Sequence, residues 1–236
     1  MMKIGIIPAR GGSKRIERKN IRAFHGKPMI AYSIEAALQA GCFDQIVVST
    51  DDSEIAMIAE QFGASVPFVR PAYLADDSTP STAVLRHAIE QFVKNSGDID
   101  YVCCIYATAP FLSPEDIIRG FQTLVEADAD YALGVTSYPF PIQRAVRVTK
   151  DGRMDMFQPE YMLTRSQDLP AAYHDAGQFC WGRAKAFLAE RPVFGEHTVP
   201  VLLPRYRVQD IDTEEDWARA ELMYAARDML INEVCA

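Results

Sequence analysis

Near its amino end the chain reads Ile6-Ile7-Pro8-Ala9-Arg10-Gly11-Gly12-Ser13-Lys14-Arg15, followed by Lys19-Asn20. Residues 3–7 are an apolar run suited to a buried strand, and Pro8 ends the run because proline cannot donate to a sheet ladder. The two adjacent glycines allow consecutive backbone N–H groups to point into one concavity, which binds anions. Full positive charges surround that concavity at Arg10, Lys14, Arg15 and Lys19. We therefore predict a first strand that opens into a loop suited to a triphosphate.

The same composition also fits a solvated surface loop, because Gly, Ser and basic residues are common in turns. The stretch has neither the G-x-x-x-x-G-K-[ST] spacing of a P-loop nor the G-x-G-x-x-G spacing of a dinucleotide site. An NAD-linked oxidoreductase is therefore disfavoured. The position of the loop directly after the first strand of an alternating chain favours phosphate binding.

Composition limits the classes of protein that the chain can belong to. With 236 residues, 49% of them hydrophobic, we predict a single domain over residues 1–236 with a sizeable core. The formal net charge of −8 argues against a nucleic-acid partner. Neither a secretory signal nor an apolar stretch of membrane-spanning length is present, and the five cysteines lack C-x-x-C spacing. We expect a cytoplasmic protein with reduced thiols and no membrane partner.

Strand and helix patterns alternate along most of the chain, which predicts an α/β fold with a largely parallel sheet and helices on both faces. The strands are predicted at 3–7, 45–49, 66–69, 101–105, 131–136, 177–181 and 199–203, and the helices at 28–40, 53–62, 81–93, 113–125 and 213–229. The alternation breaks after Pro139, where Lys150-Asp151-Gly152-Arg153 predicts a hairpin. We predict a small antiparallel excursion there, followed by a loop over 165–175.

A pair of carboxylates near the other end of the chain lies in Gln209-Asp210-Ile211-Asp212-Thr213. If this piece is extended, Asp210 and Asp212 share one face while Ile211 points into the core. Carboxylates are hard ligands that Mg²⁺ accepts together with phosphate oxygens and water. Alternatively, Asp212 only belongs to a helix start, where acids are favoured. Taken with the phosphate-binding loop, the pair favours a magnesium site.

A dense run of polar side chains lies between residues 165 and 178. His174 and Asp175 are adjacent, and Arg165, Gln167, Tyr173 and Gln178 are close to them in sequence. Such groups are able to bind a hydroxylated ligand, although a solvated loop has the same composition.

Together these motifs resemble the CMP-sugar synthetases, which activate 2-keto sugar acids with CTP. The matching pieces span nearly the whole chain: Ile7 to Lys14, Lys19-Asn20, Ser49-Thr50-Asp51, Arg70-Pro71-Ala72, Leu74-Ala75-Asp76-Asp77 and Asp210-Ile211-Asp212-Thr213. Sialic acid enzymes carry Gln-Pro-Thr-Ser-Pro where this chain has residues 106–110, and Arg-Pro-Asn-Gly where it has residues 174–177. Those segments are most similar to the pseudaminic acid cytidylyltransferases. Sialic, legionaminic and 3-deoxy-octulosonic acid remain alternative substrates, and a non-catalytic nucleotide-binding module is the alternative of a different class.

The resemblance implies a three-layer, Rossmann-like nucleotide-diphospho-sugar transferase fold and a homodimer built on residues 139–175. It implies catalytic roles for Arg10, Lys19 and Asp212, and magnesium binding by Asp210 and Asp212. Nucleotide binding is implied for Ala9, Arg10, Gly11, Gly12, Ser13, Lys14, Lys19, Asn20, Arg70 and Ser81. Sugar binding, to a nonulosonic acid, is implied for Tyr106, Thr108, Arg165, Gln167, Tyr173, His174, Asp175 and Gln178. The implied activity serves the modification of bacterial flagellin or surface glycans.

Overall fold

The computed structural model describes residues 1–234, with side chains up to residue 227. In chain order the elements are β1 (Lys3–Pro8), β2 (Ala23–Phe24), β3 (Lys27–Pro28), α1 (Met29–Ala40), β4 (Gln45–Ser49), α2 (Ser53–Gln61), α3 (Ser81–Ser96), β5 (Tyr101–Ile105), α4 (Pro114–Glu126), β6 (Tyr131–Ser137), β7 (Val146–Val148), β8 (Met154–Met156), β9 (Tyr173–Arg183), α5 (Ala184–Leu188), β10 (Thr198–Leu202) and α6 (Glu214–Val234). Strands and helices therefore alternate over most of the chain up to β6. Two places interrupt the alternation: the short strands β2 and β3 precede α1, and α3 follows α2 with no strand between them.

The central sheet has six strands in the order β10-β6-β9-β5-β1-β4. All its strands run in one direction except β9, which is antiparallel to both β5 and β6. The predicted α/β class and largely parallel sheet are confirmed. The predicted loop over 165–175 is wrong at its end, because residues 173–175 already pair with β6. Gly177 has φ of +62° and accompanies a register shift in that pairing, a β-bulge that the local pattern does not reveal.

Two hydrophobic clusters cover the two faces of the sheet. Cys103 belongs to one cluster and Cys104 to the other, as expected for neighbours in a strand. The predicted strand at 66–69 is wrong: the segment makes isolated bridges, Val47 to Ser65 and Thr50 to Val69, and no continuous ladder. The predicted hairpin is confirmed by the antiparallel pairing of β7 with β8.

A third cluster joins the two ends of the chain. It contains eight buried apolar residues: Ile16, Phe24, Met29, Tyr32, Phe111, Ile211, Trp217 and Ala220. Ile16 comes from the basic loop and Ile211 from between the two aspartates, and both are fully buried. The cluster therefore packs the start of α6 against the loop that follows β1.

The helix that carries this contact begins as the sequence predicts. Thr213 and Asp216 form the predicted cap, in which the Asp216 backbone N–H donates to Thr213 Oγ1 over 3.2 Å and the Thr213 N–H donates to Asp216 Oδ2 over 2.8 Å. Met229, a predicted member of its apolar stripe, lies outside the described side chains. Over the part of the chain that the structure describes, no helix combines the length and the apolar character that crossing a bilayer requires.

Candidate active site

A cleft of about 590 Å³ opens beyond the carboxyl ends of the neighbouring strands β4, β1 and β5. Ligands of open α/β sheets bind at this edge, outside the carboxyl ends of the strands. Predicted site residues from distant parts of the chain line it together: Arg10, Ser13, Lys14, Lys19, Asn20, Arg70, Ser81, Tyr106, Thr108, Asp210 and Asp212. The fold thus brings the basic loop and both aspartates to one cavity.

The loop after β1 is fixed by contacts with the neighbouring strand end. Ala9 is buried and its N–H donates to Ser49 O over 2.9 Å, while the Gly11 N–H donates to Asp51 Oδ1 over 3.0 Å. A Cβ on Gly11 would lie 2.6 Å from Asp52 Oδ2, whereas one on Gly12 would meet no heavy atom within 4 Å. Only the first of the two glycines is therefore required by the close approach of the loop to the Asp52 side chain.

Asp52 is held in place from two sides. Its Oδ1 accepts from the N–H groups of Glu54 and Ile55, each over 3.0 Å, and so caps α2. Its carboxylate also accepts two hydrogen bonds from the Arg18 guanidinium, over 2.5 and 3.0 Å. The Arg18 hydrogen bonds lower the pKa of Asp52 to about 2. This ion pair ties the basic loop to the start of α2.

Because the pKa of Asp52 is depressed in the folded state, its charge stabilises the fold above the unfolded pKa of about 4. That contribution declines as the pH falls through the folded value of about 2. We expect Asp52→Asn, which keeps a capping oxygen, to cost about 2 kcal/mol of unfolding free energy at pH 7 and progressively less between pH 5 and pH 3. Urea unfolding across that range measures the difference, with the exposed Asp98→Asn as control. A difference that does not change with pH would contradict the assignment.

Besides Arg18, four cations of the basic loop fall into two groups. Arg10 pairs with Asp77 Oδ1 over 2.5 Å, and Lys14 pairs with the other oxygen of the same carboxylate. Arg15 and Lys19 pair with Asp212 Oδ1 over 2.9 and 3.3 Å. The Lys19 ammonium also donates to Ile211 O over 2.6 Å. One half of the loop thus faces the 72–79 segment and the other half faces the aspartate pair.

Arg70 and Asn20, two of the residues predicted to bind the nucleotide, are buried at the cleft. The Arg70 side chain is buried and its guanidinium donates to both the hydroxyl and the carbonyl of Ser49. Burial lowers the pKa of Arg70 to about 10, so the group keeps its charge at neutral pH. Asn20 donates to Arg10 O over 2.9 Å, and Ser81 begins α3 at the rim of the cleft.

Asp210 and Asp212 face the cleft on either side of the fully buried Ile211, as the alternation predicts. Partial burial, and to a smaller extent the neighbouring Asp212 carboxylate, raise the pKa of Asp210, while Lys19 opposes the shift. Among the described side chains, no group of three or more His, Cys, Asp or Glu residues is arranged to hold a metal. The chemistry of the pair fits a divalent ion that takes its remaining ligands from phosphate oxygens and water.

A second cavity of about 670 Å³ shares Asp210 and Asp212 with the cleft. Its other walls include His174, Arg205 and Arg219. Within the described residues neither arginine forms an ion pair, although Arg219 helps to lower the pKa of Asp216. Sequence reasoning missed both arginines. The available signals were the basic Arg205-Tyr206-Arg207 run directly before the aspartates and a cation in the second turn of the following helix.

The residues predicted to bind sugar are divided among several places. Tyr106 and Thr108 line the cleft, where the Tyr106 hydroxyl donates to Asp175 Oδ2 over 3.0 Å. Burial and the Asp175 carboxylate raise the pKa of Tyr106. His174 lines the second cavity. Gln178 is buried and donates to Arg207 O over 2.5 Å, and its Oε1 has no hydrogen-bond partner among the described residues.

The remaining predicted sugar-binding residues lie apart from both cavities. Arg165 is exposed and pairs with Asp168 over 2.8 Å, and Gln167 is in the same short 3₁₀ turn. Tyr173 is half exposed at the first position of β9. Within one copy of the chain, these three residues are therefore not brought to the aspartate pair.

Known proteins are similar to this chain along nearly its whole length. A sequence model of the family described as Cytidylyltransferase matches residues 4–224. The pseudaminic acid cytidylyltransferase of Campylobacter jejuni subsp. jejuni serotype O:2 is 45% identical over 224 residues, which cover 95% of this chain and 97% of that protein. The CMP-N,N'-diacetyllegionaminic acid synthase of Legionella pneumophila subsp. pneumophila is 34% identical over 240 residues, which cover 98% of this chain and 100% of that protein.

Among solved structures, CMP:2-keto-3-deoxy-manno-octonic acid synthetase complexed with CTP aligns with a TM-score of 0.70 over 96% of this chain and all of that chain. At 17% identity this likeness concerns the fold, and it confirms the predicted Rossmann-like transferase architecture. The resemblance carried by the motifs is confirmed by the family match and by the identity to the Campylobacter protein. The chain belongs to the cytidylyltransferase family.

Proposed function

We propose that this protein transfers CMP from CTP to the C2 hydroxyl of pseudaminic acid and releases pyrophosphate, with Mg²⁺ as cofactor. The observation that carries the proposal is the meeting of the basic loop and the aspartate pair in one cleft, where Lys19 lies 3.3 Å from Asp212. The choice of sugar is supported by the name of the Campylobacter relative. The product would be an activated donor for modifying flagellin or surface glycans.

In this proposal the protein mainly positions the substrates and neutralises charge. Asp210 and Asp212 would hold Mg²⁺, which when bound polarises a phosphoryl oxygen and helps the leaving group depart. Arg10, Lys14 and the backbone of Gly11, Gly12 and Ser13 bind the outer phosphates. Lys19 stabilises the charge that gathers on the reacting phosphoryl group. Asn20, Arg70 and Ser81 hold the cytidine, and Ala9 contributes to the nucleotide site from the start of the basic loop.

We place the sugar acid in the second cavity, because that cavity meets the cleft at the aspartate pair. A C2 hydroxyl entering from there approaches the α-phosphate opposite the departing pyrophosphate. The sugar carboxylate needs a cation, and a guanidinium receives it through two parallel hydrogen bonds. Arg205 and Arg219 are the arginines that line this cavity. Tyr106 and Thr108 contribute from the cleft and His174 from the second cavity. Asp175, which accepts the Tyr106 hydroxyl, and Gln178 complete the proposed sugar-binding set.

We also propose that residues 139–175 form the interface of a homodimer around the single catalytic domain. The segment exposes large apolar side chains, among them Phe140, Val148 and Leu163, the last of them 94% exposed. Exposed apolar groups concentrated on one segment are typical of a protein–protein contact. Arg165, Gln167 and Tyr173 belong to or border this segment, so they would approach a sugar acid from the other copy of the chain.

Arg219→Ala is expected to raise the KM for the sugar acid by about 10- to 100-fold, the scale of one lost charge-assisted hydrogen bond. The KM for CTP should change by less than about 2-fold. Arg165→Ala should also raise the sugar KM far more than the CTP KM. Initial rates of pyrophosphate release with each substrate varied in turn measure both constants, and Arg86→Ala on the exposed face of α3 is the matched control. Equal effects on the two KM values would contradict a sugar-binding role.

The function itself is tested by incubating the protein with CTP, Mg²⁺ and separate nonulosonic acids, with products identified by mass. The panel contains pseudaminic, legionaminic, sialic and 3-deoxy-octulosonic acid. We expect the CMP adduct of pseudaminic acid to form fastest. Faster conversion of legionaminic acid, the substrate class in the name of the Legionella relative, would move the assignment to that sugar. Binding of CTP without pyrophosphate release for any acid would indicate a non-catalytic nucleotide-binding module.

A further inference from the structure

The segment between Pro71 and Pro80 forms one wall of the cleft and begins with a 3₁₀ turn, Ala72–Leu74. Asp76 fixes the rest of the segment locally. Its Oδ1 accepts from the Ser78 N–H over 3.0 Å, from the Thr79 N–H over 2.7 Å and from the Thr79 hydroxyl over 2.6 Å. Asp76 Oδ1 is therefore used within the turn, whereas the Asp77 carboxylate faces the basic loop.

Asp77 uses both of its oxygens on the basic loop. Oδ1 pairs with the Arg10 guanidinium over 2.5 Å and Oδ2 pairs with the Lys14 ammonium. Within the described part of the chain, these are the ion pairs that Arg10 and Lys14 make. Hydrogen bonds from Lys14 and Arg10 lower the pKa of Asp77, so the carboxylate stays ionised at neutral pH.

The two cations that Asp77 occupies are those that the proposed function assigns to the outer phosphates of CTP. A carboxylate and a phosphate are both anionic oxygen acceptors and compete for the same donors. A β- or γ-phosphate that takes the N–H groups bonded to Asp77 displaces the carboxylate from Arg10 and Lys14. The carboxylate is able to return when those phosphates depart.

We propose that Asp77 is an internal competitor of the pyrophosphate group, displaced when CTP binds and returning as pyrophosphate is released. This inference rests on the proposed function of the cleft. In this role Asp77 weakens the binding of the outer phosphates and so speeds their release. A ligand that does not reach Arg10 and Lys14, such as CMP, does not displace Asp77.

The test is the binding of pyrophosphate and of CMP, each titrated calorimetrically into wild type and Asp77→Asn at constant Mg²⁺ and without sugar acid. The substitution keeps the shape of an exposed side chain and removes its charge. We expect pyrophosphate to bind about 3- to 10-fold more tightly to the variant, the scale of one or two exposed ion pairs. CMP affinity should stay within about 2-fold. The gain for pyrophosphate should shrink at high salt, because exposed charges are screened.

Glu126→Gln, at the exposed end of α4, is the control for a change of net charge and should bind both ligands like wild type. Unchanged or weaker pyrophosphate binding to Asp77→Asn would overturn the proposal, and so would an equal gain for CMP and pyrophosphate. Because no sugar acid is present, the outcome is separate from that of the product assay. If the protein converts no sugar acid but still shows this competition, the inferred role of Asp77 stands and the proposed function is wrong.

Discussion

Replacing Asp212 with asparagine is expected to lower turnover by about 10²–10³-fold while the protein remains folded, the usual effect of removing one preorganised charge contact at a reacting centre. Asp212 shares the cleft with Asp210 and accepts ion pairs from Arg15 and Lys19. The substitution keeps the side-chain shape and removes the negative charge that a divalent ion requires. Pyrophosphate release at saturating CTP, measured over a range of Mg²⁺ concentrations, gives the turnover.

The loss should be largest at limiting Mg²⁺ and partly recovered at high Mg²⁺, because a weakened ligand set needs more metal to fill. Asp98→Asn removes an equal charge from an exposed loop between α3 and β5 and should leave the rate unchanged. Wild-type rates of Asp212→Asn at limiting Mg²⁺ would show that Asp212 does not hold the metal.

Lys19→Ala is the second large expected effect, again a loss of about 10²–10³-fold in turnover. The Lys19 side chain is only 18% exposed, and its ammonium lies 2.6 Å from Ile211 O and 3.3 Å from Asp212 Oδ1. This position places a fixed positive charge beside the proposed metal ligands, where the proposed function has charge develop on the reacting phosphoryl group. We expect kcat to fall more than the KM for CTP rises, since the contact strengthens in the transition state.

Lys19→Arg should recover part of the lost rate, because arginine keeps the positive charge but places its donors differently from the lysine ammonium. Lys94→Ala, at the end of α3, removes a cation away from the cleft and serves as control. Thermal unfolding of each variant separates a catalytic effect from loss of structure. If Lys19→Ala is folded and its turnover is within about 3-fold of wild type, Lys19 does not act at the reacting centre.

The sequence predicts those parts of this site whose geometry depends on a short run of neighbouring residues. The apolar run before Pro8, the paired glycines and the Asp210-Ile211-Asp212 alternation each determine their own local geometry, and the structure brings them together. Local patterns do not reveal pairing between distant segments. The eleven residues of β9 insert antiparallel between β5 and β6, and this non-local pairing turns the expected loop at 173–175 into strand.

The same reason explains the missed contacts. Ile211 is predicted to point inward, but its burial with Ile16 and Trp217 depends on how α6 packs against the start of the chain. Asp77 belongs to a matching motif, yet its partners Arg10 and Lys14 are more than sixty residues away in sequence. Arg219 is a common exposed helical cation in the sequence and becomes noteworthy only because α6 places it at the second cavity.

The central claim is that the basic loop and the aspartate pair hold one triphosphate through a divalent ion. Its most direct test is a crystal structure with a non-hydrolysable CTP analogue and Mn²⁺, which an anomalous difference map locates. The account predicts one peak about 2 Å from carboxylate oxygens of Asp210 and Asp212 and from a phosphate oxygen, with Arg10 and Lys14 on the outer phosphates. A triphosphate bound away from Arg10, or a metal that contacts neither aspartate, would contradict it.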